Sequence, residues 1–221
     1  MQQFGAPPPV ERNMDFYDVI KTRRTVRDFS DKKIDKKTIE RILSAGLAAP
    51  TNDHLRNWEF VVVTEKEIIE TIINPIPVTF SEKRVDTIIN SWKVNAPFQK
   101  EMYQDAIPKQ YNMLMQSGCL ILPFFKQNTP LLKPKILSDL NDFASIWCCI
   151  ENIMLATTAE GLGCAMRIPF EKETKHILET LQHPKDYFMP CYLAIGHPLK
   201  KTGSPKQLKQ KIKEKIRYNR W

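Results

Sequence analysis

The segment from Asp139 to Gly161 limits the possible folds more than any other part of the chain. Leu140, Phe143, Ile146, Trp147, Ile150, Ile153, Met154 and Thr157 recur there at helical spacing. Ala144, Cys148 and Leu155 extend the apolar character to the other faces. A helix apolar on most sides has to be buried, at the centre of a fold or in a subunit interface. Layers must therefore exist to cover it. Cys119–Phe125 reads as a central strand, and Trp58–Thr64 as another by its β-branched and aromatic content. Further strands are expected at Cys164–Arg167 and Phe188–Gly196. Helices are expected at Asp15–Thr22, at Glu65–Asn74, at Lys172–Leu181 and after a cap at Asp35, where Ile39, Ile42, Leu43 and Gly46 share a face. Pro75 to Gln116 has scattered prolines and weak periodicity, which suits either helices or a mobile cap. Strands and helices without regular βαβ alternation argue an α+β fold.

A length of 221 residues fits one domain, and no apolar run reaches the ~18 residues of a membrane span. The charge is 33 Lys+Arg minus 25 Asp+Glu, or +8. The excess is confined to Lys200–Trp221, which holds nine Lys/Arg and one acid, Glu214. The rest is near neutral. That weighs against a nucleic-acid-binding protein, whose groove draws cations from several segments, although Tyr218 and Trp221 among the basic residues suit single-strand binding. The five cysteines (119, 148, 149, 164, 191) are odd in number, lack CxxC spacing and sit in apolar contexts, so buried reduced thiols are expected. Met1–Asn13 has no secretory h-region, and Pro7-Pro8-Pro9 suggests an extended, disordered lead-in; a cytoplasmic protein is expected. His176, His183 and His197 read as surface residues.

Three segments carry candidate chemistry. In an extended Arg23-Arg24-Thr25-Val26-Arg27, residues 23, 25 and 27 share a side, and two guanidiniums flanking a hydroxyl make a phosphate clamp. Taken alone, such a stretch is more often a solvated basic loop. Ala49–Trp58 is a polar loop entering an apolar strand, either a ligand-lining loop or an ordinary turn. Gly161-Leu162-Gly163 leads to Arg167-Ile168-Pro169-Phe170. It is not a dinucleotide fingerprint, because a helix precedes it and the third glycine is absent. No GxSxG, HExxH or P-loop is present.

Together and in this order, the three segments and the ending Tyr218-Asn219-Arg220-Trp221 resemble the FMN-dependent nitroreductase family. The first looks like the family's Arg-Arg-Ser-x-Arg phosphate motif, the second like its Ala-Pro-Ser…Pro-Trp motif, the third like its Gly-Leu-Gly…Pro-Phe segment. The resemblance implies an α+β sandwich with a mostly antiparallel central sheet flanked by helices. It implies a homodimer, FMN at the subunit interface, and a C-terminal extension exchanged between subunits. The implied division is a lead-in at 1–13, an FMN-binding domain at 14–198 and a basic extension at 199–221. By position, Arg23, Thr25 and Arg27 would hold the phosphate and ribityl chain, with Arg24 contributing backbone and Lys209 a further cation. Pro50, Thr51, Asn52 and His54 would come from the other subunit and line the isoalloxazine, and Arg56 would donate to flavin carbonyls or to a substrate anion. The backbone of Arg167, Ile168 and Pro169 would face flavin N5 and O4. His54, Arg56 and Asn57 depart from the family's usual residues. The implied activity is hydride transfer from NADH or NADPH, through the flavin, to a nitroaromatic, quinone or enone by a ping-pong route. A reductive dehalogenase on the same fold is the nearest alternative.

Overall fold

The computed structural model describes residues 14–199 and 210–221; the lead-in and Lys209 lie outside the described residues. Strands β1 (Trp58–Val63), β2 (Cys119–Lys126), β3 (Gly163–Arg167), β4 (Tyr187–Phe188) and β5 (Tyr192–Gly196) form one sheet. The order is β1-β2-β5-β3, β4 also pairs with β2, and every pairing is antiparallel. Leu120, Leu122 and Phe124 of β2 enter one core, and Cys119, Ile121 and Phe125 enter the other. This is the period-two alternation of a strand covered on both faces. Pro123 lies where β2 changes neighbour, from β5 opposite Cys119–Ile121 to β4 opposite Phe125–Lys126. A missing N–H is tolerated at such a break. The single strand expected over Phe188–Gly196 is split for a related reason: Pro190 has no N–H to offer a ladder, and β4 ends before it while β5 begins after it.

The helices are α1 (Phe16–Thr22), α2 (Lys36–Leu47), α3 (Lys66–Ile73), α4 (Glu82–Ser91), α5 (Pro97–Ala106), α6 (Gln110–Met115), α7 (Asn141–Ala159) and α8 (Glu171–Leu181). Asp35 caps α2 by accepting from Thr38 N at 2.9 Å. Helices α2 and α7 cover one face of the sheet; α3, α6 and α8 cover the other. Ser145, Ile146, Cys149, Ile150, Ile153 and Thr157 of α7 are buried. Ala144, Cys148 and Glu151 on its far side are exposed, beside α1, whose Phe16, Tyr17 and Ile20 are exposed too. Cys148 therefore departs from the expected burial of all five thiols. No helix among the described residues is long and apolar enough to cross a membrane.

Residues 75–116 hold three helices, α4, α5 and α6, joined by turns. Helices α4 and α5 share a small core of Val85, Ile89 and Ile107 with Phe80, Ile88, Val94 and Tyr103 around it. Their pattern is weak in sequence because Pro75, Pro77, Pro97 and Pro108 break the stretch into short pieces: ten residues in α4 and in α5, six in α6. Pro97 starts α5, a position where its missing N–H costs nothing.

Gly161, at φ +72°, lies just beyond the end of α7, in the left-handed conformation that favours glycine after a helix. Gly163 is needed for a different reason. A Cβ there would stand 2.7 Å from Val26 Cβ and 2.8 and 2.9 Å from its two methyls. Val26 cannot swing aside, because its backbone N–H donates to Cys164 O at 3.0 Å. Gly163→Ala should therefore cost about 1–3 kcal/mol, the usual penalty of overpacking. Thermal denaturation checks this; an unchanged midpoint would mean that the Val26 segment is not held against β3 in solution.

Candidate functional site

The basic motif runs extended along the edge of β3. Thr25 bridges Cys164 in parallel register, and Phe29 bridges Pro198 in antiparallel register. Ser30 N donates to His197 O at 2.9 Å, and Leu199 N to Asp28 O at 3.1 Å. These bonds fix the segment at both ends and carry Arg27 to the C-terminal end of β3.

Arg27 lines a cavity of about 850 Å³ there. One wall is Arg167, Ile168, Pro169 and Phe170, with Met166 before them. Met166, Ile168 and Phe170 lie at alternate positions and are all exposed, forming an apolar ridge. The opposite wall comes from the helical segment that the sequence left open: Phe80, Arg84, Ile88, Trp92, Tyr103 and Ile107. It is a cap over the site. These aromatic positions were missed in sequence; Trp92 and Tyr103 in an otherwise polar stretch are the signal that could have found them.

Arg27 is half-buried. Burial pulls its pKa down, against the opposing pull of Asp105, Asp28 and Tyr103. An arginine remains protonated under such a shift, so the cavity holds a partly desolvated cation. Arg23 is placed elsewhere, with Nε 4.0 Å from Glu151 Oε1 of α7. The Arg24 guanidinium donates to Lys21 O at 2.6 Å and Arg23 O at 2.7 Å, closing the end of α1. Thr25 is exposed.

The Arg167 side chain has its own partners. Nη2 donates to Glu173 Oε1 at 2.5 Å, Nη1 to Gln110 Oε1 at 2.9 Å, and Cζ stands 5.4 Å over the Phe170 ring. Glu173 is fully buried. The pair links the end of β3 to the first turn of α8 and so braces the turn at residues 168–170, while Gln110 ties it to α6. Arg167 Nε, Glu173 Oε2 and the Tyr192 hydroxyl are buried without a hydrogen-bond partner. Burial, with the nearby Glu173 charge, pushes the Tyr192 pKa up, so the phenol stays protonated.

Pro50, Thr51, Asn52, His54 and Arg56 do not reach this cavity within one chain. They form a loop at the start of α7, where Asn52 N donates to Ser145 Oγ at 3.0 Å and Asn141 Nδ2 to Asn52 Oδ1 at 3.3 Å. Asp53, His54 and Arg56 have φ of 50°, 56° and 47°. Three non-glycine residues in that conformation within four positions is an uncommon concentration of backbone strain, of the kind found at ligand-contacting loops.

The remaining groups are quiet. Burial pushes the thiols of Cys119, Cys149 and Cys164 up to about 12, and that of Cys191 well up, so these four are not thiolate nucleophiles. The histidines are less superficial than their sequence contexts implied. His183 packs on Phe124 at 4.7 Å between ring centroids, and His176 Nε2 lies 2.7 Å from Thr71 O. His197 is half-buried because its carbonyl joins the Ser30 bridge.

Known proteins place this architecture. The chain is 29% identical over 215 residues to iodotyrosine deiodinase of Danio rerio, covering 95% of this chain and 68% of that protein. Over 52 to 66 residues it is 32% to 38% identical to further relatives, including iodotyrosine deiodinase of Haliscomenobacter hydrossis, and there spans only 20% to 31% of their length. Among solved structures, iodotyrosine deiodinase bound to FMN and 3-iodo-L-tyrosine superposes with a TM-score of 0.71 at 19% identity, covering 94% of this chain and 100% of that one. An FMN-dependent nitroreductase from Clostridium difficile gives 0.62 at 20% identity, covering 92% and 98%. The model of the Nitroreductase family matches residues 20–197. A match over that much of the chain, on an antiparallel sheet with helices on both faces, makes this protein a member of the Nitroreductase family.

Proposed function

We propose that the chain is an FMN-dependent oxidoreductase that takes hydride from NADH or NADPH and delivers it to a small-molecule oxidant such as a nitroaromatic, a quinone or an enone. The observation that carries this reading is the cavity at the end of β3, with a desolvated cation, Arg27, beside an apolar ridge under an aromatic cap. The residues fit the cofactor: Met166, Ile168 and Phe170 offer flat apolar surface for a ring system, and Arg27 offers charge-assisted hydrogen bonds. When bound, FMN supplies reversible hydride transfer at its N5, and the protein supplies binding, orientation and electrostatics.

In this reading Arg23, Thr25 and Arg27 hold the phosphate and ribityl chain, with Arg24 and Lys209 in support. The backbone of Arg167, Ile168 and Pro169 faces the ring, held in place by the Arg167–Glu173 pair. Pro50, Thr51, Asn52, His54 and Arg56 act from a second copy of the chain. Their distance from the cavity in one chain, the exposed apolar residues of α1 and α7, and the exposed Ile212, Tyr218 and Trp221 of the tail all favour a homodimer. A second reading, reductive dehalogenation of an aromatic compound, is favoured by the aromatic cap and by the match to the Danio rerio deiodinase.

The purified protein should be yellow and release one FMN per chain. Finding FAD, or no flavin after reconstitution, would overturn the assignment. Sedimentation at micromolar concentration should give a dimer whose dissociation coincides with unfolding; a stable folded monomer contradicts the shared site. Halide release from a halogenated phenol, set against reduction of a quinone, separates the two chemistries.

A further inference from the structure

The buried pair of Arg167 and Glu173 is costlier than a brace has to be. Arg167 Nε, Glu173 Oε2 and the Tyr192 hydroxyl all lack a hydrogen-bond partner, and all three belong to one cluster. Arg167 stands opposite Tyr192 in the β3–β5 ladder, and its guanidinium donates to Glu173 Oε1 and Gln110 Oε1. Two ions taken out of water with polar atoms left over stabilise a fold no better than packed apolar side chains. The charges themselves therefore point to a role. Arg167, Glu173 and Gln110 all line the cavity at the end of β3. The Tyr192 phenol stays protonated, the Gln110 amide is neutral and the two ions cancel, so the cluster has no net charge. The other cations of the cavity are placed differently. Arg84 and Lys172 are exposed, where water and salt screen them. Arg27 meets the phosphate in the flavin reading, and the ligand's own charge offsets it. Arg167 is buried at the strand end that faces the ring, so Glu173 is what cancels it.

Resting on the FMN reading, we propose that Glu173 and Gln110 keep the reduction potential of the bound flavin low by holding the Arg167 cluster at zero net charge. Both are positioning residues that act through Arg167. A hydride carries two electrons and one proton, so the flavin gains one negative charge when the nicotinamide gives it up. An unpaired guanidinium beside the ring would stabilise that charge and make the reduced flavin a weaker donor. The buried carboxylate withdraws this stabilisation. Gln110 completes the arrangement, because it occupies a second guanidinium nitrogen with a neutral oxygen and adds no charge. A low potential suits a weak oxidant, which needs a strongly reducing flavin. A unit charge about 10 Å away at an effective dielectric of about 20 shifts such an equilibrium roughly tenfold. In a two-electron couple, tenfold is about 30 mV.

The test changes charge while keeping shape. The flavin-loaded protein is equilibrated anaerobically with a reference dye, above neutral pH so that an added carboxylate is ionised. Glu173→Gln leaves one uncompensated positive charge and should raise the potential by about 30 mV. Gln110→Glu adds one negative charge against the same guanidinium and should lower it by a similar amount. The double variant Glu173→Gln/Gln110→Glu moves the carboxylate from one side of Arg167 to the other and should restore the parent value. Glu171→Gln is the control. That acid also lies at the start of α8, but its side chain is 84% exposed, so its removal should shift the potential little, and not at all at high salt. A disturbance of packing alone would move both single variants the same way, and that result overturns the inference. An unchanged potential in either single variant overturns it too. Should Glu173→Gln fail to fold, Gln110→Glu decides alone: a fall in potential supports the inference and any other result overturns it. In each of these cases the FMN bound by the parent leaves the oxidoreductase reading standing. A parent that takes up no FMN overturns that reading and this inference with it.

Discussion

Glu173→Ala should lower the stability of the folded protein by about 3–5 kcal/mol. The Glu173 side chain is 0% exposed and that of Arg167 is 9% exposed. Removing the carboxylate strands a guanidinium that keeps only Gln110 Oε1 as a polar partner. The pair itself need not add much net stability, because both ions were taken out of water to form it. Breaking it from one side is what costs, since the remaining charge is left uncompensated. Urea denaturation measures the change. Glu173→Gln should lose less, because it keeps the shape and one acceptor oxygen for Arg167. Tyr192→Phe is the contrasting control. Its hydroxyl is buried and unpartnered, so deleting it relieves an unmade hydrogen bond and should leave stability unchanged or slightly higher. A loss below about 1 kcal/mol in Glu173→Ala would mean that the pair is hydrated in solution, as an exposed ion pair is. The turn at 168–170 would then lack its brace.

That pair also marks a limit of reading the sequence alone. Glu173 stands in Glu171-Lys172-Glu173-Thr174-Lys175, which reads as a solvated helical face. Only the turn of the chain brings Arg167, six residues earlier, against it. The layered core was legible, because β2 is a continuous apolar run, as a strand covered on both faces requires, and α7 repeats at helical spacing over 19 residues. The Asp35 cap was legible too, since a short acid before an amphipathic run has a local cause. The cap over the site was not, because Pro75, Pro77, Pro97 and Pro108 interrupt a largely polar stretch and leave no continuous apolar period across its short helices. Cys148 was misjudged because its apolar neighbours along the chain, Trp147 and Cys149, lie on other faces of α7; a helix separates what sequence places side by side. The basic motif was legible as a unit but not in its parts. Arg23, Thr25 and Arg27 read as one clamp, whereas within one chain Glu151 stands near Arg23, Thr25 is exposed, and of the three only Arg27 lines the cavity.

Arg27→Ala should therefore weaken FMN binding by roughly ten- to a hundredfold while hardly changing the stability of the apo-protein. The FMN phosphate carries about −1.5 to −2 charge near neutral pH, and a charge-assisted hydrogen bond to such a group is worth about 1.5–3 kcal/mol. Burial already lowers the pKa of Arg27, so the folded chain holds this cation at some desolvation cost, which an anionic ligand offsets. Without ligand, Asp28 and Asp105 retain Lys109 when Arg27 is removed, and the substitution strands no buried charge. A change in apo stability of about 0.5 kcal/mol or less follows, as for other residues outside the core. Thr25→Ala should give a smaller loss of affinity, since a neutral hydroxyl donor is weaker than a guanidinium. Titration of apo-protein with FMN, followed by quenching of the flavin emission, separates the cases. Parent-like affinity in Arg27→Ala would remove Arg27 from the phosphate site and move the search to Arg23 and Lys209. It would also mean that the cation at the end of β3 faces the substrate rather than the cofactor.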